Sequence, residues 1–256
     1  MCLIVLAYRV HPSYPVIFAA NRDEFYARPT AALGEWPDAP HIVAGRDLEG
    51  GGTWMGISRK GRLAALTNYR EPGRQRTDAP SRGHLVSDFL RGEEELSRYI
   101  EKISLRDQNY NGYNMLLSDG TRWVYVSNRS LAPQELTPGI YGLSNHLLNT
   151  PWPKVQRSRR AVERLLTSER HPAIIALMDI LQDRDIPPDD ALPSTGVGLE
   201  WERRLGAVFI RSSIYGTRSS TTLLVTADGW VQFTERTFAP GLKGHTTQRF
   251  EFFLQR

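Results

Sequence analysis

Ala19-Ala20-Asn21-Arg22-Asp23-Glu24, read together with Cys2, is the stretch whose reading decides the fold. It closes the second of two apolar runs at the amino terminus, and Cys2 opens the first. Leu3 to Val10 is apolar with β-branched members, His11-Pro12-Ser13-Tyr14-Pro15 carries turn chemistry, and Val16 to Ala20 is apolar again. Two such runs around a turn predict an antiparallel hairpin. Folded about a point between Pro12 and Ser13, the hairpin sets residue 2 opposite residue 23. The single cysteine of the chain is thereby expected beside an Arg-Asp-Glu cluster. A guanidinium biases a neighbouring thiol towards thiolate, and a carboxylate can hold a base or an amine in place.

Downstream, the Pro/Ala-rich stretch from Arg28 to Pro40 reads as a surface crossing, and Ile42 to Ala44 resumes a strand. In Gly50-Gly51-Gly52-Thr53-Trp54-Met55-Gly56-Ile57, glycines beside a bulky aromatic predict backbone packed closely at a strand entry, as a bulge or a ligand contact. Leu63 to Thr67 is a strand ending in Asn68-Tyr69-Arg70, and Glu71 to Arg82 is a loop. Leu85, Phe89, Leu96, Tyr99, Ile100 and Ile103 recur at helical spacing with a break at Gly92. Tyr113–Leu117 and Trp123–Val126 flank an Asp-Gly hairpin turn, and Tyr141 to Asn145 ends another strand. Thr150-Pro151 starts a helix with Val155, Val162 and Leu165 on its buried side, and Ala173–Leu181 is a second. Asp183 to Glu200 reads as an acidic, mobile segment that could act as a lid. Strands return at Ala207–Ile210, Thr221–Val225, Trp230–Thr234 and Phe250–Leu254. Strands, then helices, then strands exclude a βαβ parallel sheet and suit two stacked antiparallel sheets with helices on their outer faces.

Across all 256 residues, with 40% hydrophobic content, the chain is read as one domain, 1–256. Without an apolar run of membrane-spanning length or a signal peptide, it is expected to be soluble and cytoplasmic. One cysteine precludes an internal disulfide, and no Cys/His spacing resembles a zinc site, so no metal is assigned. The net charge of +4 comes almost wholly from arginine, since only Lys60, Lys102, Lys154 and Lys243 are lysines. These arginines are scattered among 28 acids, which points away from nucleic acid.

Cys2 has two readings: a small buried hydrophobe at a strand start, or, if Met1 is trimmed, a nucleophile carrying its own α-amine as base. Arg22 and Asp23 have equal claims to face it, and Glu24 a lesser one. Asn68 and Asn145 each close a strand, as turn residues or as amide donors to a developing oxyanion. Arg218 is read as lying in a loop before a strand, on the surface or clamping an anion. His84 and His146 receive no role.

Several motifs together resemble the NRDE family, that of the transport and Golgi organisation protein 2. They are Met1-Cys2, Asn21-Arg22-Asp23-Glu24, Gly51-Gly52-Thr53-Trp54, Thr67-Asn68-Tyr69-Arg70, Asn111-Gly112-Tyr113-Asn114, Ser144-Asn145, Thr150-Pro151-Trp152-Pro153-Lys154 and Gly216-Thr217-Arg218-Ser219-Ser220-Thr221. That family is similar in turn to N-terminal nucleophile hydrolases of the choloylglycine and penicillin V acylase type. The resemblance implies an α+β fold, a four-layer αββα sandwich. It implies Cys2 as nucleophile, Asp23 orienting the amine, Asn68 and Asn145 as oxyanion and amine-binding amides, and Arg218 beside the nucleophile. Asn21, Arg22, Glu24, Trp54, Tyr69 and Arg70 are its ligand-binding candidates. It further implies intracellular haem trafficking, with haem a transported ligand rather than a required cofactor, or a role with acyl-CoA and lipid. Transient membrane contact would accompany either. The alternative is a Cys2-dependent hydrolase of amides or thioesters.

Overall fold

The computed structural model describes residues 2–168, 172–239 and 244–255. In chain order the strands are β1 (Cys2–Tyr8), β2 (Val16–Phe25), β3 (Thr30–Trp36), β4 (Ala39–Asp47), β5 (Met55–Ser58), β6 (Leu63–Asn68), β7 (Tyr113–Ser118), β8 (Trp123–Ser127), β9 (Gln134–Glu135), β10 (Gly139–Leu143), β11 (Tyr215–Val225), β12 (Trp230–Thr237) and β13 (Thr246–Phe253). The helices are α1 (Gly83–Arg91), α2 (Leu96–Ser104), α3 (Pro153–Ser168), α4 (Ile174–Ile180) and α5 (Leu199–Gly206). The strands form two antiparallel sheets, β10-β1-β2-β11-β12-β13 and β3-β4-β5-β6-β7-β8-β9. The chain divides into two compact units, one of residues 1–27, 138–144 and 148–252 and one of 28–137, 145–147 and 253–256.

In the first unit, alternate residues of the central strands, Val5, Ala7, Ile17, Ala19 and Leu224, pack with Val162 of α3 and Leu177, Met178 and Leu181 of and just beyond α4. Leu177, Met178 and Leu181 are fully inaccessible, and burial of each such side chain contributes about 2 kcal/mol. The residues between them, Ile4, Leu6, Phe18 and Leu223, are equally buried, so this sheet is covered on both faces. The second unit repeats the scheme. Ile42, Ala64, Leu66, Met115, Leu117 and Val126 pack with Leu85, Phe89 and Leu90 of α1 and Leu96, Tyr99 and Ile103 of α2. The alternate residues Ile57, Ala65 and Leu116 are buried as well. Two doubly covered antiparallel sheets with helices packed on each make the fold α+β.

The structure departs from the sequence reading at several elements. Residues 28–40 are no plain surface crossing: β3 and the start of β4 take up most of them, with register shifts at 31–34 and 35–36, Pro29 ahead of β3 and Pro37 in the turn between the strands. The break read at Gly92 does separate two helices, α1 and α2. Residues 207–210 form an irregular connection, not a strand: Phe209 N–H donates to Asp183 C=O and Thr217 N–H to Ile210 C=O. Helix α5 was hidden because Trp201 and Leu205 are its main apolar pair, yet Glu200 and Glu202 at its start and Arg203 and Arg204 at its end suit the helix dipole. Arg157–Asp183 and Arg203–Asp189 ion pairs, each 2.5 Å, tie down the acidic segment read as mobile.

Candidate functional site

Hairpin register is one residue tighter than the turn symmetry predicts: Cys2 pairs with Arg22, Ile4 with Ala20 and Leu6 with Phe18. Directly paired residues project to the same face of an antiparallel sheet. Cys2 and Arg22 therefore share one face with Ser219, the β11 partner of Arg22. Glu24, two residues on, lies on that face too, and its carboxylate stands 3.9 Å from the Arg22 guanidinium. The lesser claim given to Glu24 is thereby corrected, since alternation separates residues 22 and 23, not 22 and 24.

Asn21 and Asp23 project to the other face. The Asn21 amide donates to Leu181 C=O at 2.8 Å and Val208 C=O at 2.9 Å, and accepts the Ser220 hydroxyl at 2.6 Å. Its amide thus pins β2 to the end of α4 and to the 207–210 connection. The Asp23 carboxylate accepts the Thr217 hydroxyl at 2.7 Å, Thr217 Oγ1 accepts Ile210 N–H, and Tyr215 donates to Asp23 C=O. Asp23 reaches the thiol through its main chain, by a hydrogen bond from its backbone N–H to Cys2.

Cys2 is half-buried as a residue, and burial of the thiol pushes its pKa up. The Asp23 charge adds to the rise, while the Arg22 guanidinium and the Asp23 N–H oppose it. Desolvation outweighs the guanidinium, so the thiolate bias expected from the sequence gives way to a thiol that keeps its proton at neutral pH. The Cys2 backbone is held from the other side as well: Ser144 donates its hydroxyl to Cys2 C=O at 3.0 Å.

Arg218 lies within β11, not in a loop before it, at a bulge between Thr217 and Ser219. Its guanidinium donates to Phe25 C=O at 2.9 Å and Tyr26 C=O at 3.2 Å. Burial lowers its pKa, the nearby Arg22 lowers it further, and Glu24 and Tyr26 oppose. Arg22 and Arg218 thus stand as two guanidiniums around one carboxylate, with Arg211 and Arg218 both acting on the Tyr26 hydroxyl, whose pKa burial raises.

In the second unit, the Asn145 amide donates to Asn68 C=O at 2.8 Å, and Asn145 C=O accepts Arg70 N–H at 2.7 Å. Tyr69 joins them through a residue the sequence left without a role. Its hydroxyl meets His146 Nε2 at 2.8 Å, with the rings 4.9 Å apart. Burial lowers the His146 pKa and raises that of Tyr69, to which Glu71 adds. A neutral imidazole beside a neutral phenol is the state both shifts favour. The His146 main chain is fixed by Asn114, whose amide donates to its carbonyl. The only signal in the sequence was position, one residue beyond Asn145.

Trp54 packs on Gly45, outside the glycine-rich stretch, while Gly52 within it meets the main chain of Gly83. A Cβ on Gly45 would lie 2.3 Å from the Trp54 ring, and one on Gly52 would lie 2.3 Å from the Gly83 carbonyl carbon. Close approach to the start of α1 is therefore the use of Gly52. Among the described residues no group of three His, Cys, Asp or Glu side chains could hold a metal ion, and no helix is long and apolar enough to cross a membrane.

The sequence model of the family described as Transport and Golgi organisation 2 matches residues 1–240. The Transport and Golgi organization protein 2 homolog of Homo sapiens is 40% identical over 276 residues, covering all of both chains. The Transport and Golgi organization 2 homolog of Mus musculus is 39% identical over the same length, again with full coverage of both. Among solved structures, the C2A mutant of the conjugated bile acid hydrolase from Clostridium perfringens aligns with a TM-score of 0.50 at 9% identity, covering 99% of this chain and 92% of that one. At that identity the likeness speaks to the fold, which is that of the N-terminal nucleophile hydrolases.

Proposed function

The chain belongs to the transport and Golgi organisation 2 family, and from that footing we propose that it binds and carries an anionic small ligand, of the haem or acyl-CoA type, at the Cys2 face of β2. The observation that carries this reading is the Arg22 guanidinium on the face of a protonated Cys2 thiol, with Arg218 near Arg22 and the Glu24 carboxylate acting on both guanidiniums. Guanidiniums with limited access to water favour a carboxylate or phosphate, which accepts charge-assisted hydrogen bonds from them. Haem offers propionates, and acyl-CoA offers phosphates. A thiol that holds its proton is a poor nucleophile, and it becomes an iron ligand only by giving up that proton on haem binding. Both ligands partition into bilayers, so transient membrane contact is part of the reading.

Haem titration followed by absorbance, and palmitoyl-CoA titration followed by calorimetry, separate the two ligands. Arg22→Ala or Arg218→Ala should weaken whichever binds by roughly tenfold, and Cys2→Ala should change the haem spectrum alone. Absence of spectral change and of heat in the wild-type protein would discard carriage of either ligand.

A second reading, a Cys2 hydrolase of amides or thioesters, is favoured by the Asp23 N–H on the thiol and by Arg22 on the same face, both of which stabilise a thiolate. In it Asp23 orients the amine freed by removal of Met1, a residue outside those described. Intact-mass spectrometry tests it. Loss of Met1 with acylation of Cys2 by an acyl electrophile supports hydrolysis, and a retained Met1 removes it.

A further inference from the structure

Beside the edge strand β10 lies a groove of about 540 Å³, lined by Val10, Gly139 and Ile140 and by α3 residues that include Arg159, Arg160 and Glu163. Its α3 wall is the stripe 156, 159, 160, 163, 167, distinct from the buried stripe of Val155, Ser158 and Val162 that faces the core. From residue 156 to 167 this wall runs about 16 Å at ~1.5 Å per residue, the length of about five extended residues at ~3.4 Å each.

Two independent features suit the groove to a peptide. The first is the strand edge. Gly142 donates its N–H to Asn149 Oδ1 at 2.9 Å and accepts Asn149 N–H at 2.8 Å, so its main-chain groups point away from β1. Outward and inward positions alternate along an edge strand, which turns the N–H and C=O of Ile140 outward as well, into the groove. The second is charge. Most arginines of this chain that face acids are paired, as in Arg157–Asp183 and Arg203–Asp189. Arg159 and Arg160 have no acidic partner among the described residues, and Arg159 Nε is enclosed without a hydrogen-bond partner. The Arg159 stem is seated by Gly142, where a Cβ would come within 2.7 Å of it.

We propose that this groove binds an extended peptide that pairs with the outward main chain of Ile140 and sets an acidic side chain on Arg159 and Arg160, with apolar side chains against Val10 and Leu166. Addition of a strand at an exposed edge gives main-chain hydrogen bonds, and flanking side chains give selectivity. Glu163, one turn beyond Arg159, rejects a second acid there, so the sequence recognised carries its acid at one end only. Asn149 closes the ladder at Gly142 and limits the pairing to the Ile140 rung. The groove shares no residue with the Cys2 face, and the inference stands apart from the proposed function.

Fluorescence anisotropy with a labelled, end-blocked Leu-Glu-Leu-Gln-Leu peptide and the full chain tests it. Binding should weaken roughly tenfold in Arg159→Gln and in Arg160→Gln, and should be retained or tightened in Glu163→Gln. Ile140→Pro, which deletes an outward N–H on an edge strand where proline is tolerated, should abolish it, whereas Ile140→Ala, which also gives up the packing of this side chain on the core but keeps the N–H, should retain it. Equal binding of the Lys-for-Glu peptide, or of a peptide N-methylated at alternate residues, would overturn the proposal. So would displacement by hexanoate without any penalty for N-methylation, which would assign the groove to small carboxylates.

Discussion

Thr217 donates its hydroxyl to the Asp23 carboxylate at 2.7 Å, and both residues are almost fully buried. The same hydroxyl oxygen accepts Ile210 N–H at 2.9 Å, so Thr217 satisfies a carboxylate and a main-chain donor at once. Thr217→Val removes both contacts and is expected to cost about 3 kcal/mol, whereas Thr217→Ser retains the hydroxyl and costs about 1 kcal/mol. Urea denaturation of the two variants checks this, and equal midpoints would refute it.

Asn21 is a pin between three elements, so Asn21→Leu, although close in size, leaves Leu181 C=O, Val208 C=O and the Ser220 hydroxyl without their partner. A loss of about 3–4 kcal/mol is expected, read as a lowered denaturation midpoint. Asn21→Ser is no remedy, because a hydroxyl cannot donate to both carbonyls.

Burial holds the Cys2 thiol above its ordinary pKa, against the pull of Arg22. Alkylation by iodoacetamide should therefore be slow at neutral pH and rise only above about 8.5, the ordinary thiol value. Arg22→Gln removes a lowering influence and should shift the rate profile further towards alkaline pH. Because the folded state keeps this proton longer than the unfolded one, the thiol's contribution to stability is complete below the ordinary value and is lost as pH rises towards the folded one. A rate profile with its midpoint below 8 would contradict the burial argument.

For His146 the sign is opposite. Burial lowers its pKa in the fold, so the unfolded chain takes up a proton first as pH falls. Stability is held above about 6.5 and declines as pH drops from there through the folded value. His146→Phe should flatten that slope in thermal melts between pH 7 and pH 5, while Tyr69→Phe, which removes only the hydroxyl facing Nε2, should leave most of it.

Gly52→Ala would drive a methyl to 2.3 Å from the Gly83 carbonyl carbon and 2.4 Å from its oxygen. Main chain at the start of α1 yields less readily than a side-chain tip, and a cost above about 2 kcal/mol is expected. Gly73→Ala meets nothing within 4 Å and serves as the control with an unchanged midpoint.

The apolar runs made most strands legible, because alternation and turn residues act over neighbours in the chain. β3 escaped because its bulges hide the period, and α5 because two apolar residues in one short turn-rich stretch make a weak stripe. At the candidate site, the hairpin brought Cys2 near Arg22 by local geometry alone. The division of Asn21 and Asp23 from Arg22 and Glu24 depended on a register one residue off the turn's centre. What sequence could not supply were partners from far along the chain. The hydroxyls of Thr217 and Ser220 meet Asp23 and Asn21 across nearly two hundred residues, and His146 meets Tyr69 across seventy-seven. The thiol's protonation likewise follows from three-dimensional enclosure, which no motif encodes.

Arg218 occupies the extra position of the bulge: Thr217 pairs with Asp23 and Ser219 with Arg22, two adjacent rungs with one residue looped between them. The ladder with β2 is complete without it, while on the other side Arg218 C=O accepts Phe238 N–H at 2.8 Å. Excision of Arg218 would leave every pairing of β2 with β11 in phase, whereas a one-residue excision elsewhere in the strand would turn its side chains inside out. The bulge thus adds a guanidinium beside Arg22 and Glu24 without shifting the register of the strand that carries it.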